Sequence, residues 1–224
     1  MKVFIGWDPT QQEAFEVAEY TIRKHTPDVS IIKLDKTQIQ EYDHMQDHRG
    51  STAFTYSRFF VPYLCDYKGY AAFVDCDIIA RSDLNEMMRY VDPEDAVTCV
   101  QHDYTPKSTV KMDGQKQTTY PRKNWSSVMI FNCEHHLTKK LTPDTINGMS
   151  GQYLHRMVWA ENKIGDLFLE WNCLAGYYDL DSPKIIHYTD GGPWLEEYKD
   201  CEFSELWHEE RKEYEKTCLS SMFG

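Results

Sequence analysis

Two aspartates, Asp75 and Asp77, interrupt the otherwise apolar run AAFVDCDIIA. An ionised carboxylate taken out of water is costly unless it is paired or bound to a cation. In a strand, residues i and i+2 point to the same face, so both side chains would converge just beyond the strand's carboxyl end, where open α/β sheets hold ligands. There they can share one hard divalent cation, Mg²⁺ or Mn²⁺, which takes one or two carboxylates together with substrate phosphates. The same geometry points Cys76 away from the cation. The competing reading is that one aspartate caps the next helix while the other is solvated. The pair by itself does not separate the two.

Two residues elsewhere favour the cation. TYSRFFVPYL places Arg58 in an aromatic, apolar segment, where a guanidinium either closes a salt bridge or faces an anion. KIIHYTDGGPW places His187 directly after an apolar strand and just before Gly191 and Gly192. A histidine there can be a third ligand, and glycines let backbone N–H groups approach a phosphate. The structural alternative is a hydrogen-bonded histidine followed by a turn.

The elements that must position these residues follow from periodicity. KVFIGWD reads as a strand, QQEAFEVAEYTIRKHT as a helix with apolar residues at helical spacing, and VSIIKL as a second strand. This β-α-β opening favours parallel pairing with helices on the sheet faces. TAFTYSRFFVPYLCDY reads as a helix broken near Pro62, GYAAFVDCDII as one continuous strand, and SDLNEMMRYV as a helix capped by Ser82 or Asp83. AVTCVQH and WSSVMIFNC are further strands, separated by a polar excursion over residues 103–124. LTPDTINGMSGQYLHRMVWAE holds capped helical segments, KIGDLFLEWNCLAGYY a short strand and turn, and KIIHYTDGG the last strand. The charged stretch from Glu196 is helix-prone. His44 and His48 read as solvated surface, and His135-His136 as a turn.

Composition narrows the function class. A 224-residue chain with 41% hydrophobic residues suits one large domain, and a net charge of −12 argues against nucleic acid or an anionic membrane as partner. Seven scattered cysteines without a C-x-x-C pair read as reduced thiols, which implies a cytoplasmic setting. The opening MKVFIGWDPT shows no long apolar segment, so neither a secretory signal nor a membrane span is expected.

In order and spacing, TYSRFFVPYL, GYAAFVDCDIIARSDLNEM, VMIFN, Trp171-Asn172 and His187…Pro193-Trp194 resemble the retaining glycosyltransferases of family 8, over roughly residues 2–195. That resemblance implies an α/β GT-A fold: a single Rossmann-like domain over 1–195 with a mixed, mainly parallel sheet flanked by helices. Residues 196–224 would be a charged helical tail packed on the same domain. It also implies Mn²⁺ or Mg²⁺ at Asp75, Asp77 and His187, and a nucleotide-sugar donor, UDP-linked, against Asp8, Arg58, Asp75, Ser126, Ser127, Trp171, Asn172, Gly191 and Gly192. The acceptor it implies is a glycan or other hydroxyl. The chain departs from the family at Gly192, where a lysine is usual, at Trp125-Ser126-Ser127 in place of Asn-Ala-Gly, and at Gly151-Gln152-Tyr153 in place of Asp-Gln-Asp. Gln152 with Arg58 therefore becomes the expected catalytic set, with front-face attack and with Glu170 or Asp166 as alternative carboxylates. A nucleotidyltransferase would want a glycine-rich basic loop where the chain has WDPTQQ. A sugar-binding protein that has lost catalysis is the remaining alternative.

Overall fold

The computed structural model describes residues 1–103 and 122–223. Strands β1 (Lys2–Gly6), β2 (Ser30–Leu34) and β3 (Tyr70–Val74) pair in parallel, with helix α1 (Gln12–His25) crossing between the first two. Strand β6 (Val128–Asn132) runs antiparallel between β3 and β5 (Val97–Cys99), and β7 (Ile164–Asp166) pairs in parallel with β5. The resulting order β2-β1-β3-β6-β5-β7 is a mixed sheet, the α/β architecture expected from strand–helix alternation. Strands β1, β3 and β6 are buried almost throughout, because both faces of the sheet are covered.

A second sheet corrects the reading of GYAAFVDCDII as one strand. The chain leaves β3 at Val74, turns through Asp75-Cys76-Asp77, and re-enters as β4 (Ile78–Ala80) in the order β4-β9-β8 with β8 (Cys173–Leu174) and β9 (Ile185–His187). An apolar run gives no hint of this break, since β4 is buried like β3. The aspartates therefore sit at the junction of two sheets. The segment around Arg58 also differs from the expected helix: it winds as a 3₁₀ turn over Ser57–Phe60 followed by the single-turn helix α2 (Val61–Leu64), with Pro62 in its first turn. Residues Leu84–Tyr90 are 3₁₀ as well, capped by the Asp83 carboxylate, which accepts from the Asn85 N–H at 2.9 Å. The polar excursion over 103–124 falls, at 104–121, outside the described residues.

Helix α1 is amphipathic for a visible reason. Ala14, Phe15, Val17, Ala18, Thr21 and Ile22 recur at helical spacing and are buried, while Arg23, Lys24 and His25 close the last turn where the helix dipole favours cations. Buried hydroxyls on the helix and at its C-cap hold the chain beside it: Thr21 Oγ1 accepts from the Ala80 N–H of β4 at 3.1 Å, and Thr26 Oγ1 from the Leu84 N–H of the following 3₁₀ segment at 2.9 Å. After the short helices α3 (Pro143–Gly148) and α4 (Gly151–His155), the charged C-terminal stretch forms α5 (Ser204–Phe223) and lies against α1. Ion pairs line this contact, Lys24 with Glu210 (2.9 Å) and Glu213 (2.7 Å) and Arg211 with Glu16 (3.1 Å). They are partly exposed to solvent, and surface pairs of this kind contribute about 1 kcal/mol or less each. The docking instead rests on Trp207, buried in a small core with Val17, Ile79, Ile186 and Tyr188; burying a large apolar side chain is worth about 1.5–3 kcal/mol.

One turn carries measurable strain. Glu161 adopts φ 56°, ψ −117°, and the Lys163 N–H donates to the Ala160 carbonyl at 2.9 Å, the arrangement of a type II′ turn with glutamate where glycine belongs. Such a conformation costs a non-glycine residue about 1–3 kcal/mol. The exposed Lys140–Glu161 pair (3.1 Å) offsets little of that. Glu161→Gly is expected to raise the thermal midpoint by about 2–4 °C, given about 1 kcal/mol of relief in a domain of this size. An unchanged or lower midpoint in calorimetry would show that the turn is not strained.

Candidate metal and donor site

Strand pairing assembles the site. β4 and β9 are antiparallel with Ile78 opposite His187, and the Tyr188 N–H donates to the Asp77 carbonyl at 2.9 Å. That register sets the His187 ring beside the Asp77 carboxylate, Nε2 to Oδ1 at 3.3 Å. On the other side, the Asp75 N–H donates to the Ser127 carbonyl at 2.9 Å, holding the turn against the end of β6. One ligand atom from each of Asp75, Asp77 and His187 lies within 4.8 Å of the others. Among the described residues this is the one group of three or more His, Cys, Asp or Glu side chains with metal-holding geometry. Asp77 and His187 are buried and Asp75 is half-buried, so the cluster opens to solvent at the Asp75 side.

Two carboxylates and an imidazole form an oxygen-rich donor set with one borderline nitrogen, which suits Mn²⁺ or Mg²⁺ better than a soft thiophilic metal. Cys76 contributes no atom to this cluster, although residues 75–77 form a turn and not the strand from which that was expected. It is fully buried, and its Sγ donates to Gln11 Oε1 at 3.5 Å. Burial first, then the carboxylates of Asp77, Asp75 and Asp8, push its thiol pKa well up, so it stays a protonated packing group.

Arg58 lies within the same cluster. Its Nη1 meets Asp75 Oδ1 at 2.9 Å and donates to the Ser126 carbonyl at 2.7 Å, while Nε donates to the Phe54 and Thr55 carbonyls. The guanidinium stacks over Phe73, 4.8 Å from the ring centroid, and Phe54. With Asp75 and Asp77 ionised, Arg58 protonated and His187 neutral, the group carries a formal charge of −1, which a divalent cation would turn to +1.

The other expected site residues are placed less uniformly. Asn172 and Ser127 join the cluster by hydrogen bonds: Asn172 Nδ2 donates to Ser127 Oγ at 2.8 Å and Asn172 Oδ1 meets His187 Nδ1 at 3.0 Å. The hydroxyls of Ser126 and Ser127 are engaged internally, with His155 Nδ1 at 2.8 Å and with the Asn124 carbonyl at 2.7 Å. Trp171 is fully buried with Lys184 Nζ 4.6 Å from its ring centroid, so it packs and presents no open face. Glu170 pairs with that same lysine at 3.1 Å, and Asp166 is exposed at the end of β7. Asp8 caps the 3₁₀ turn Pro9–Gln11, accepting from the Thr10 N–H, and its other oxygen accepts from the Ala53 N–H at 2.7 Å. Gly191 adopts φ 139°, its N–H donates to the Tyr188 carbonyl at 2.9 Å, and a Cβ there would lie 2.5 Å from Tyr198. At Gly192 a Cβ would meet Trp194 at 1.9 Å. Both glycines are thus required by aromatic packing of the turn. Gln152 is exposed on helix α4 (Gly151–His155).

Three histidines gain roles that sequence reasoning did not assign. His155, one turn beyond Gln152, is the α4 side chain that reaches the Ser126 edge of the site. His102 is buried beside Tyr178 (Nδ1 to Oη 3.1 Å), and burial together with the nearby His187 holds its pKa down at about 3. Its position just past the carboxyl end of β5 was the available signal, since ligands gather at that edge. His44, read as solvated, is instead buried: it stacks on Tyr56 at 3.6 Å between centroids, its Nε2 meets the Met149 carbonyl at 3.1 Å and its Nδ1 accepts from the Gln46 N–H. Its helix-like spacing to His48 is irrelevant because residues 43–46 are not helical.

No family model matches the chain. Protein CDI of Arabidopsis thaliana is 42% identical over 226 residues, spanning 96% of this chain and 87% of that protein. Among solved structures, the apo bifunctional glycosyltransferase WbbM superposes on 94% of the chain with a TM-score of 0.67 and 16% identity; the chain spans about half (49%) of WbbM. Apo GlyE of Streptococcus pneumoniae TIGR4 gives a TM-score of 0.60 at 16% identity over 99% of this chain and 63% of its own. The galactosyltransferase LgtC, solved with donor and acceptor sugar analogues, gives 0.58 at 11% identity, covering 95% of this chain and 96% of its own. At these identities the likeness is one of fold, and the fold is GT-A. No helix among the described residues is long and apolar enough to cross a membrane.

Proposed function

The chain belongs to the same family as Protein CDI of Arabidopsis thaliana, and we propose that it is a family 8-like, metal-dependent retaining hexosyltransferase. It would move a sugar from a nucleotide-sugar, UDP-linked, to a glycan or other hydroxyl acceptor, in the cytoplasm. The observation that carries this reading is the Asp75, Asp77 and His187 cluster, with Arg58 bonded to Asp75, on a GT-A sheet. Mn²⁺ or Mg²⁺ held there would supply Lewis-acid stabilisation of the departing nucleoside diphosphate. The protein groups do the rest. Arg58 is fixed by two backbone carbonyls on Nε, so its outer edge keeps its aim at the carboxylate side while charge develops on the leaving group. Its planar fork suits both the carboxylate and a phosphate.

Retention without an Asp-Gln-Asp block favours front-face attack, with the acceptor hydroxyl entering on the same face as the leaving diphosphate. Gln152 is available on the exposed side of α4 to orient the sugar, and the His155–Ser126 bond anchors that helix against the Arg58 edge. The test is a donor panel: the protein with Mn²⁺ and individual nucleotide-sugars, scored by release of nucleoside diphosphate. Release from at least one uridine-linked donor that stops with chelator is expected. Binding of such donors with no release, even with sugar acceptors present, would replace the enzyme with a sugar-nucleotide-binding protein.

A further inference from the structure

The family resemblance set Asn172 among the donor-binding residues; its hydrogen bonds run to Ser127 and His187. Ser127 Oγ donates to the Asn124 carbonyl at 2.7 Å, so toward Asn172 that hydroxyl must accept. The Asn172 atom facing it at 2.8 Å is therefore the amide nitrogen, and the same nitrogen is 3.4 Å from the Asn124 carbonyl, which can only accept. Flipping the amide would set two oxygens against each other. The carboxamide oxygen must then face His187 Nδ1 at 3.0 Å, and it can only accept. In the neutral imidazole this places the proton on Nδ1 and leaves the Nε2 lone pair directed to the side where Asp77 lies 3.3 Å away. The chain Asn124–Ser127–Asn172–His187 is buried along Ser127, Asn172 and His187, so water does not substitute for any of its links.

We infer that Asn172 is a positioning residue: anchored by Ser127 and the Asn124 carbonyl, it fixes the tautomer and ring orientation of His187, so that Nε2 is presented to the pocket shared with Asp75 and Asp77. This deepens the proposed metal site and rests on that reading for its functional meaning. Parallel pairing of β8 with β9 sets the distance, since Leu174 lies opposite His187 and Asn172 directly precedes β8. Outer partners of this kind typically change metal affinity about 10- to 100-fold when removed.

Two independent readouts test it. Long-range ¹H–¹⁵N spectra of the metal-free protein, with the His187 signals assigned by their loss in His187→Gln, are expected to show the Nδ1–H tautomer in the wild type and in Asn172→Asp, which keeps the acceptor toward Nδ1 while the Ser127 hydroxyl turns to donate to the second oxygen. Asn172→Leu is expected to lose it. Mn²⁺ titration followed by electron paramagnetic resonance is expected to weaken about 10- to 100-fold in Asn172→Leu and far less in Asn172→Asp. Should Asn172→Leu fold poorly, Ser127→Ala removes only the anchor and is expected to weaken Mn²⁺ several-fold. An Nε2–H tautomer in the wild type, or wild-type Mn²⁺ affinity in both Asn172→Leu and Ser127→Ala, overturns the inference. A wild type that binds no Mn²⁺ while showing the Nδ1–H tautomer would sink the metal reading and leave the role of Asn172 toward His187 intact.

Discussion

Asp77→Asn is expected to abolish Mn²⁺-dependent release of nucleoside diphosphate while leaving the folded, chelated protein at least as stable as the wild type. The substitution keeps shape and removes the charge that pairs with a cation. Losing one preorganised electrostatic stabiliser of a transition state typically costs about a hundred- to a thousandfold in rate, and here the affinity for the cation falls as well. The stability half has the opposite sign for the same reason. Without a cation, Asp75 and Asp77 face each other with one arginine between two carboxylates, and Arg58 is bonded to Asp75. Neutralising Asp77 relieves that repulsion, and an asparagine amide can donate to the His187 Nε2 lone pair that faces this position at 3.3 Å. Adding Mn²⁺ then reverses the order of the two proteins. At a hundred times its dissociation constant a ligand stabilises the native state by about 2.7 kcal/mol, and only the wild type gains that shift. Thermal scans in chelator and in Mn²⁺ read both halves. An equal Mn²⁺-induced rise in Asp77→Asn would remove Asp77 from the cation site.

How far the sequence disclosed this site depends on which interactions built it. The two aspartates, Arg58 and His187 were legible because charged or ligating side chains in apolar runs demand compensation, and α/β alternation fixes which sheet edge they reach. The break between β3 and β4 was not legible: AAFV and IIA are both buried, so hydrophobicity stays flat while the chain changes sheets. The role of Asn172 depends on lateral pairing of β8 with β9 and on an amide orientation, neither of which leaves a periodic trace. Gly191 and Gly192 were read as room for a phosphate; the packing of Tyr198 and Trp194 into the space a Cβ would take is a further reason for glycine that the sequence did not disclose. His44 shows the converse error, a polar neighbourhood in sequence folded inward by stacking on Tyr56.

Arg58→Met is expected to destabilise the fold strongly, and the damage is expected to shrink when Mn²⁺ is added. Arg58 is buried, with a side-chain exposure of 7%, and its partner Asp75 is 13% exposed. Methionine fills comparable volume against Phe73 and Phe54, so the apolar packing largely survives. What is lost is the partner of a buried carboxylate, together with four hydrogen-bonding contacts, one to Asp75 and three to the carbonyls of Phe54, Thr55 and Ser126. Leaving one member of such a pair uncompensated costs about 3–5 kcal/mol, or roughly 10 °C in the midpoint of a domain of this size. The cause can be separated from simple loss of packing by Asp75→Asn. If the loss of positive charge beside Asp75 is the main penalty, Arg58→Met in the Asp75→Asn background should cost markedly less, a coupling of about 0.5–3 kcal/mol between contacting residues. A cation at the Asp75–Asp77–His187 cluster would supply the missing positive charge, so the Mn²⁺-induced rise should be larger in Arg58→Met than in the wild type. Equal increments in both proteins would mean that Asp75 is held by Arg58 alone and contributes nothing to the cation.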